Sequence, residues 1–410
     1  MPKPGPHKPR RWLRAHHGGF WRLFWKHYWR HGLRTVLLIT GLMFLLEHQG
    51  CTHSWEMAGL DSFVRFNAPR YSDDIVVVEI TDDDYEHHFH SRSPLDAGLL
   101  ATLLTAIHSA HPALIVLDID TSDDSFRKLD ELGVAAWPEV LWARVPKRTP
   151  RGEHPGDGYL AALEPVAGGL VTDASRMGVP IFPVDSDGVV RRYRQQIDTS
   201  AGTLPSLSWN AARRYNIKSK ERAGDILFNF PGDRYAFPIV QAGEFLGPAD
   251  PQGWGRILGR KIVMVGGDYA AGRDTYFTAR GEMAGVELVA HAAQSDLAGG
   301  GIGESSFLVS AAFDIVFGTL LVLLFFRLQL QPAFVICLAC LLVLPVAASW
   351  VTFRSLAYWV SFIPLILGML LHQLYDYDRE QRAELERLRK DHEELLKLRR
   401  QTAEAPPPAV

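Results

Sequence analysis

Acidic side chains that follow apolar runs are the residues of this chain best suited to binding chemistry. Several carboxylates at one place can bind a hard cation such as calcium or magnesium, or a cationic ligand. The alternative is that the same carboxylates cap helices and turns and face water. The candidate ligand-binding residues are Asp82, Asp83, Asp118, Asp120 and Asp274.

Other motifs favour ordinary structure over chemistry. The histidines of Glu86–His90 could bind a transition metal, but their spacing matches no helical or finger pattern, so metal binding stays open. The glycine-rich stretch Gly266–Asp274 lacks a G-K-[ST] ending, which favours a tight turn over a nucleotide site. No spacing of Ser, His, Asp or Cys indicates hydrolysis. We therefore expect no enzyme activity and no cofactor.

Two apolar runs, Ile75–Ile80 and Ala113–Ile119, must position the acidic residues. Neither alternates with polar residues, which predicts strands that are buried on both faces. A strand–helix–strand unit makes them parallel, so both deliver carboxylates to the same C-terminal edge of the sheet. The run Ile262–Gly266 predicts a third strand beside them.

A helix should connect the first two strands. Ser93 as N-cap and Pro94 at the first helical position predict its start. It would run to about Ala110, where His111 and Pro112 end it. Its leucines recur at helical spacing, so they should face the sheet.

The chain combines this α/β region with long apolar segments. Residues 51–305 are polar enough and numerous enough for one large extracytoplasmic α/β domain, with a mixed, largely parallel sheet and flanking helices. Cys51 is the only cysteine there, so no disulfide forms within the domain. Four transmembrane α-helices are predicted, at residues 31–50, 306–326, 332–353 and 356–375.

Alternatives to the first span are weaker. A cleaved signal peptide would need an A-x-A site, which does not follow it. A lipidated Cys51 would need an apolar residue three positions earlier, where His48 stands. Cys337 and Cys340 lie inside an apolar run, which favours packing over redox or metal chemistry.

Basic residues set the orientation. Residues 1–30 contain eight Lys or Arg and no acid, and eight more follow Tyr375. Lys and Arg favour the cytoplasmic side, so both termini should be cytoplasmic and residues 51–305 outside the membrane. The aromatic residues within residues 1–30 favour contact with membrane lipid at the interface, and we expect no nucleic acid partner.

The end of the chain predicts association. Residues 376–400 form a charged cytoplasmic helix that extends the last span, and residues 401–410, with three prolines, form a disordered tail. Leu385, Leu388 and Leu395 predict a homodimer or a hetero-complex through this helix. Asp314, a polar residue inside the second span, either makes a signalling or assembly contact or lies near the outer interface.

Seven segments also carry a resemblance to a known family. They are Asp61–Asp84, Arg92–Leu104, Ala113–Asp120, Val184–Tyr193, Ile226–Gly232, Gly259–Gly267 and Gly285–Leu297. In this order, and with this membrane layout, they resemble the second type of CHASE domain (CHASE2) over about residues 55–375. CHASE2 domains are extracellular sensory domains associated with bacterial cyclases and histidine kinases. Residues 121–158 resemble the family poorly.

The resemblance implies a bacterial inner-membrane sensor that detects an unknown periplasmic ligand. Only about 35 residues follow the last span, too few for a catalytic core, so we expect the output to be a separate signalling protein. The alternative is a non-sensing membrane scaffold that holds a periplasmic or membrane partner. A periplasmic enzyme is the least supported class.

Overall fold

The computed structural model describes residues 33–66, 73–147, 162–230, 237–248, 250–327 and 330–403. The chain divides into two units. The sheet unit comprises Leu60–Glu304 and Phe353–Trp359; the helical unit comprises Met1–Gly59, Ser305–Thr352 and Val360–Val410. The predicted basic segment 1–30 and most of the predicted tail 401–410 lie outside the described residues.

Strands are numbered here in chain order within the described residues. They are β1 Ile75–Thr81, β2 Leu114–Asp118, β3 Val140–Ala143, β4 Met177–Gly178, β5 Val189–Val190, β6 Arg192–Tyr193, β7 Gln196–Thr199, β8 Gly202–Pro205, β9 Ile226–Leu227, β10 Ile239–Gln241, β11 Ile262–Asp268, β12 Thr275–Thr278, β13 Gly281–Ala284, β14 Gly303–Glu304 and β15 Tyr358–Trp359.

Helices of the described residues are numbered in the same way. They are α1 Leu33–His48, α2 His53–Phe66, α3 Asp82–His87, α4 Ala97–Ser109, α5 Lys128–Glu131, α6 Leu207–Tyr215, α7 Gly243–Leu246, α8 Pro251–Leu258, α9 Gly285–Leu297, α10 Phe307–Arg327, α11 Leu330–Leu356 and α12 Ile363–Ala403.

A six-stranded sheet with the order β10–β1–β11–β2–β3–β4 forms the centre of the sheet unit. All of its adjacent pairs are parallel. Its central strands are buried on both faces, as their unbroken apolar sequences predicted. The prediction of an α/β domain with a largely parallel sheet is confirmed, and β11 lies between β1 and β2.

The two faces of the sheet carry two cores. Val76, Val78 and Ile80 of β1 belong to the core that includes α4. Ile75 and Val77 belong to the core that includes α6 and α9. Successive strand residues point to opposite faces, so each core receives alternate residues of β1.

Helix α4 starts later than the predicted Ser93 and Pro94. It begins at Ala97, and the carboxylate of Asp96 accepts hydrogen bonds from the amides of Gly98 and Leu99 at 2.8 and 3.0 Å. An aspartate at the N-cap satisfies amides that have no partner within the helix, so it defines the start better than the serine does.

Two further parts of the sheet unit contain strands that the sequence did not indicate. The poorly matched residues 121–158 contain β3, a fully buried strand that extends the sheet. The Val184–Tyr193 segment contains a turn at Gly188, but its strands β5 and β6 pair with β12 and β9 rather than with each other.

The helical unit contains the apolar helices α1, α10 and α11 and the long helix α12. No single helix within the described residues is both long and apolar enough to span a membrane; Arg34–His48 and His53–Phe66 satisfy that criterion only as a pair, bent by 86°. Helix α12 begins at Ile363, not near residue 356 as predicted, because the chain forms β15 first.

Candidate functional site

The C-terminal edge of the sheet brings acidic side chains onto one face. Glu79 of β1 and Asp118 of β2 both lie opposite Gly266 of β11 in the strand register. All three point toward the face covered by α9, because they alternate with residues of the other core. Val286 of α9 fills the space above Gly266, where an added Cβ would lie 2.5 Å from the valine Cβ. The valine therefore separates two acidic groups.

Asp118 and Asp274 form the first group. Burial, and then the charge of Asp274, raises the pKa of Asp118 well above its usual range. Burial also raises the pKa of Asp274, although a hydrogen bond from Tyr276 opposes the shift. Asp274 packs over Gly285 at the start of α9, where an added Cβ would lie 2.1 Å from Oδ2. Two adjacent carboxyl groups of this kind readily share a proton or a cation.

Glu79, Glu287 and Asp268 form the second group. Glu79 is 7% exposed, and within the described part of the chain its Oε1 has no hydrogen-bond partner. Burial, followed by the charges of Glu287 and Asp268, raises the pKa of Glu79 to about 8, and its side chain hydrogen-bonds Glu287. A hydrogen bond between two carboxyl groups requires a proton on one of them. Glu79 is therefore the protonated member near neutral pH.

Asp82 lies at the same C-terminal edge of the sheet, where it contacts the loop after β11. It is exposed in the first turn of α3, and its Oδ1 accepts a hydrogen bond from the amide of Ala270 at 2.8 Å. Tyr85 of α3 stacks on Tyr269, with ring centroids 4.4 Å apart. These contacts hold the loop after β11 against the end of β1. The tight turn predicted for this loop is present as a short 3-10 helix, Ala270–Gly272.

Asp83 and Asp120 each have a local partner of their own. Asp83 is exposed and lies 3.1 Å from Nδ1 of His87 within the same helix turn. Asp120 accepts a hydrogen bond from the amide of Ser122, as in a turn. Asp84, which was not a candidate, caps α3 through Thr81 and accepts a hydrogen bond from the amide of Gly243 at 2.9 Å. Part of the acidic run thus has the capping role that the sequence left open.

The histidine motif does not assemble a metal site. Among the described residues, no three His, Cys, Asp or Glu side chains come together in an arrangement that could hold a metal ion. Phe89, the fourth residue of the motif, is fully buried and anchors it. His291 is buried between the rings of Phe230 and Phe237, and burial lowers its pKa to about 3, so it is a neutral packing residue.

A second polar cluster lies where the chain enters and leaves the domain. Arg191 is 5% exposed and donates two parallel hydrogen bonds to Asp61 of α2, at 2.7 and 2.8 Å. It also pairs with Asp185 and Asp187. Such bidentate, charge-assisted contacts are directional and strong. The turn before β5 is thereby fixed to α2.

The neighbouring arginine fixes the other end of the domain. Arg192 pairs with Asp185 and with Glu304 of β14, its Nη2 lying 2.6 Å from Oε1 of Glu304. Asp185 accepts from both arginines, so it joins the two pairs into one network. The network therefore connects Asp61, just after the first apolar helix, with Glu304, just before the second.

A distant segment returns to this cluster. The short strands β14 and β15 pair in parallel, with Gly303 opposite Tyr358 and Glu304 opposite Trp359. Trp359 also packs edge-on against Phe63 of α2, with ring centroids 5.2 Å apart, and Phe353 contacts both rings. The segment Phe353–Trp359 is thus part of the sheet unit, although it follows α11 in the chain.

The remaining sequence candidates lie in the helical unit. Leu385, Leu388 and Leu395 lie on α12 and are 64%, 60% and 60% exposed. The predicted tail helix is continuous with the preceding apolar segment as part of α12. Asp314 lies in α10, and the structure describes its backbone but not its side chain. The same holds for Cys337 and Cys340 in α11.

The α/β domain carries acidic pairs at its C-terminal sheet edge, and apolar helices precede and follow it in the chain. The profile of the CHASE2 domain family matches residues 35–327, and the chain belongs to this family of extracellular sensory domains. The match begins within α1 and ends with α10, whereas the sequence resemblance was expected over about residues 55–375. Neither the curated proteins nor the solved structures gave a match.

Proposed function

We propose that this chain is a bacterial inner-membrane sensor whose α/β domain binds a periplasmic ligand and passes the signal to a separate signalling protein. Membership of the CHASE2 family supports the sensory role. The domain binds rather than catalyses in this proposal, and measurable turnover by the purified protein would contradict it.

The membrane layout is part of the proposal. Four spans contain α1, α10, α11 and the first part of α12, with both termini cytoplasmic and residues 51–305 periplasmic. The basic flanks at both ends support this orientation. The pairing of β14 with β15 supports it independently, because four spans place the segment after α11 on the same side as the domain.

The ligand site lies at the acidic edge in this proposal. Asp118, Asp274 and Asp82 belong to it, and Glu79 and Glu287 extend it across Val286. Adjacent carboxyl groups with raised pKa values favour a cation or a cationic group as ligand. Because no metal arrangement is formed among the described residues, an amine or guanidinium group that donates several hydrogen bonds fits better than a chelated ion.

The observation that carries the sensor proposal is the pairing of Glu304 with both Arg192 and the segment at Trp359. In this proposal, a shift of the turn at residues 185–188 moves Glu304, which lies just before the span that contains α10. Because Glu304 pairs with Trp359, the same shift moves the segment between the spans that contain α11 and α12. Coupling between the ligand site and the spans needs an element that has two arrangements, and both the ligand and the spans must shift the equilibrium between them. A short, two-residue parallel ladder linked to an ion network is suited to that role.

Cross-linking of the full-length protein in its own membranes, followed by purification, tests transmission. Arg192→Ala removes the pair with Glu304 and should change the yield of the cytoplasmic partner. Arg194→Ala is the matched control, since Arg194 pairs only with the surface residue Asp225 among the ion pairs of the described residues, and it should leave the yield unchanged. A constitutive scaffold would give the same yield for the parent and both variants.

A further inference from the structure

One face of α12 presents leucines to solvent beyond the apolar part of the helix. Leu385, Leu388 and Leu395 are at least 60% exposed, and Leu396 is 43% exposed. We propose that this face binds a second copy of the same chain, as a parallel, in-register coiled coil of the tail helices. This inference rests on the proposed function, which places the helix in the cytoplasm, and names the partner of its tail.

The spacing of the leucines fits a two-stranded seam. With Leu385 at heptad position a, Leu388 and Leu395 fall at position d, and Leu374, 63% exposed, falls at an earlier d. Helical positions a and d form one stripe that packs against the same stripe of a second helix. Beyond the proposed span, which ends near residue 375, Leu385, Leu388 and Leu395 leave apolar surface on one stripe that an isolated helix in water does not bury.

The flanking charges favour a second copy over a different protein. In the same numbering, Glu384 is at position g and Arg389 at position e, and both are exposed. In a parallel pair, each g residue lies beside the e residue five positions later on the partner helix. Glu384 of one chain therefore faces Arg389 of the other, and the two-fold symmetry of the pair forms this contact twice.

The membrane fixes the relative direction of the two tail helices, and polar residues in the seam limit the stability of the pair. Both copies leave the membrane at the same end of α12, which begins at Ile363, so their tails run parallel. Polar residues occupy the other a and d positions beyond residue 375, where they specify register at a cost in stability: Asp378, Gln381, His392 and Arg399. With about three heptads the pair is weak in isolation, which leaves it responsive to movements of the spans.

Disulfide cross-linking in native membranes tests the pairing. Single cysteines are introduced into the full chain with Cys51, Cys337 and Cys340 changed to serine. Leu388→Cys and Leu395→Cys should form dimers several-fold more efficiently than Lys390→Cys and Lys397→Cys, since facing d residues come within disulfide distance and the outer positions do not. Equal cross-linking at all four positions would overturn the proposal.

Charge reversal tests the register. Glu384→Arg and Arg389→Glu should each lower the cross-linked fraction at Leu388→Cys several-fold, and the double reversal should restore it. Failure of the double variant to recover would show that the face binds a different protein or an antiparallel copy. Labelling of Asp198→Cys from outside in the same membranes reports the proposed topology separately, so failure of the tail pairing and failure of the sensor layout are distinguishable.

Discussion

Glu304 lies opposite Trp359 in a short parallel ladder, although α10 and α11 separate the two residues in the chain. The amide of Gly303 donates to the carbonyl of Ala357 at 2.9 Å. Arg192 holds Glu304 from the other side. The end of the domain is therefore connected both to the turn at residues 185–188 and to the segment that leads into α12.

A double cysteine variant tests this ladder. Gly303→Cys with Tyr358→Cys, in a chain with serine at the three native cysteines, should form an intramolecular disulfide, because an added Cβ at Gly303 lies 3.1 Å from the ring of Tyr358. Mobility on non-reducing gels measures it. Either single variant serves as control. If the two cysteines of the double variant stay unpaired under oxidising conditions, the ladder does not form.

Removing Arg191 should destabilise the domain strongly. Arg191→Met leaves Asp61 and Asp187 without their cation, close to Asp185, which keeps its pair with Arg192. Breaking a buried pair in this way costs about 3–5 kcal/mol. Chemical denaturation of the purified protein measures the loss. Arg194→Met, which breaks an exposed pair, should cost less than about 1 kcal/mol; equal losses would contradict the assigned role of the network.

Glu79 makes stability depend on pH. The pKa of Glu79 rises from 4.5 to about 8 on folding. Its favourable contribution to the unfolding free energy is therefore fully present below the unfolded pKa and is lost as the pH rises through the folded pKa of about 8. Glu79→Gln keeps a donor toward Glu287 and removes the titration. At pH 9 the variant should exceed the parent in unfolding free energy by on the order of 2 kcal/mol, and near pH 4 the two should agree.

Thermal melts of both proteins from pH 4 to pH 9 measure this difference. Glu282→Gln, an exposed glutamate on β13, is the control and should follow the parent. Parallel curves for the parent and Glu79→Gln would show that Glu79 does not carry the proton.

The acidic edge should respond to cationic ligands. Spermidine or arginine at millimolar concentration should raise the melting temperature of the parent, and Asp118→Asn with Asp274→Asn should remove the rise. Asp120→Asn, whose side chain serves a turn, should retain it. The same melts with calcium or magnesium separate an amine site from a metal site. If none of these cations shifts the melting temperature, the carboxylates act only as structural groups.

The central part of the fold could be predicted because burial on both faces requires an unbroken apolar strand. That requirement identified β1, β2 and β11, and it placed Asp118 and Asp82 at one edge. Nearness in sequence was a less reliable guide to which acidic side chains lie together. Asp120 lies beyond the end of β2, where the alternation of side chains no longer fixes its direction. Its carboxylate accepts a hydrogen bond from the amide of Ser122, two residues later.

Other parts of the site left no sequence signal. Glu79 stands inside an apolar run that indicates only a strand, and its partner Glu287 lies on a helix more than two hundred residues later. Strands β14 and β15 contain two residues each, too few for any period. Their pairing depends on where α10 and α11 return the chain, which local sequence does not specify.

The sidedness of four positions tests the account most directly. Single cysteines at Asp198, Gln329, Ser355 and Lys397, in the serine background, are treated in intact cells with a thiol reagent that does not cross the inner membrane. We predict labelling at Asp198 and Ser355, and at Gln329 and Lys397 only after permeabilisation. Labelling of Asp198 and Ser355 from opposite sides, or of Asp198 and Lys397 from the same side, would contradict the sensor layout.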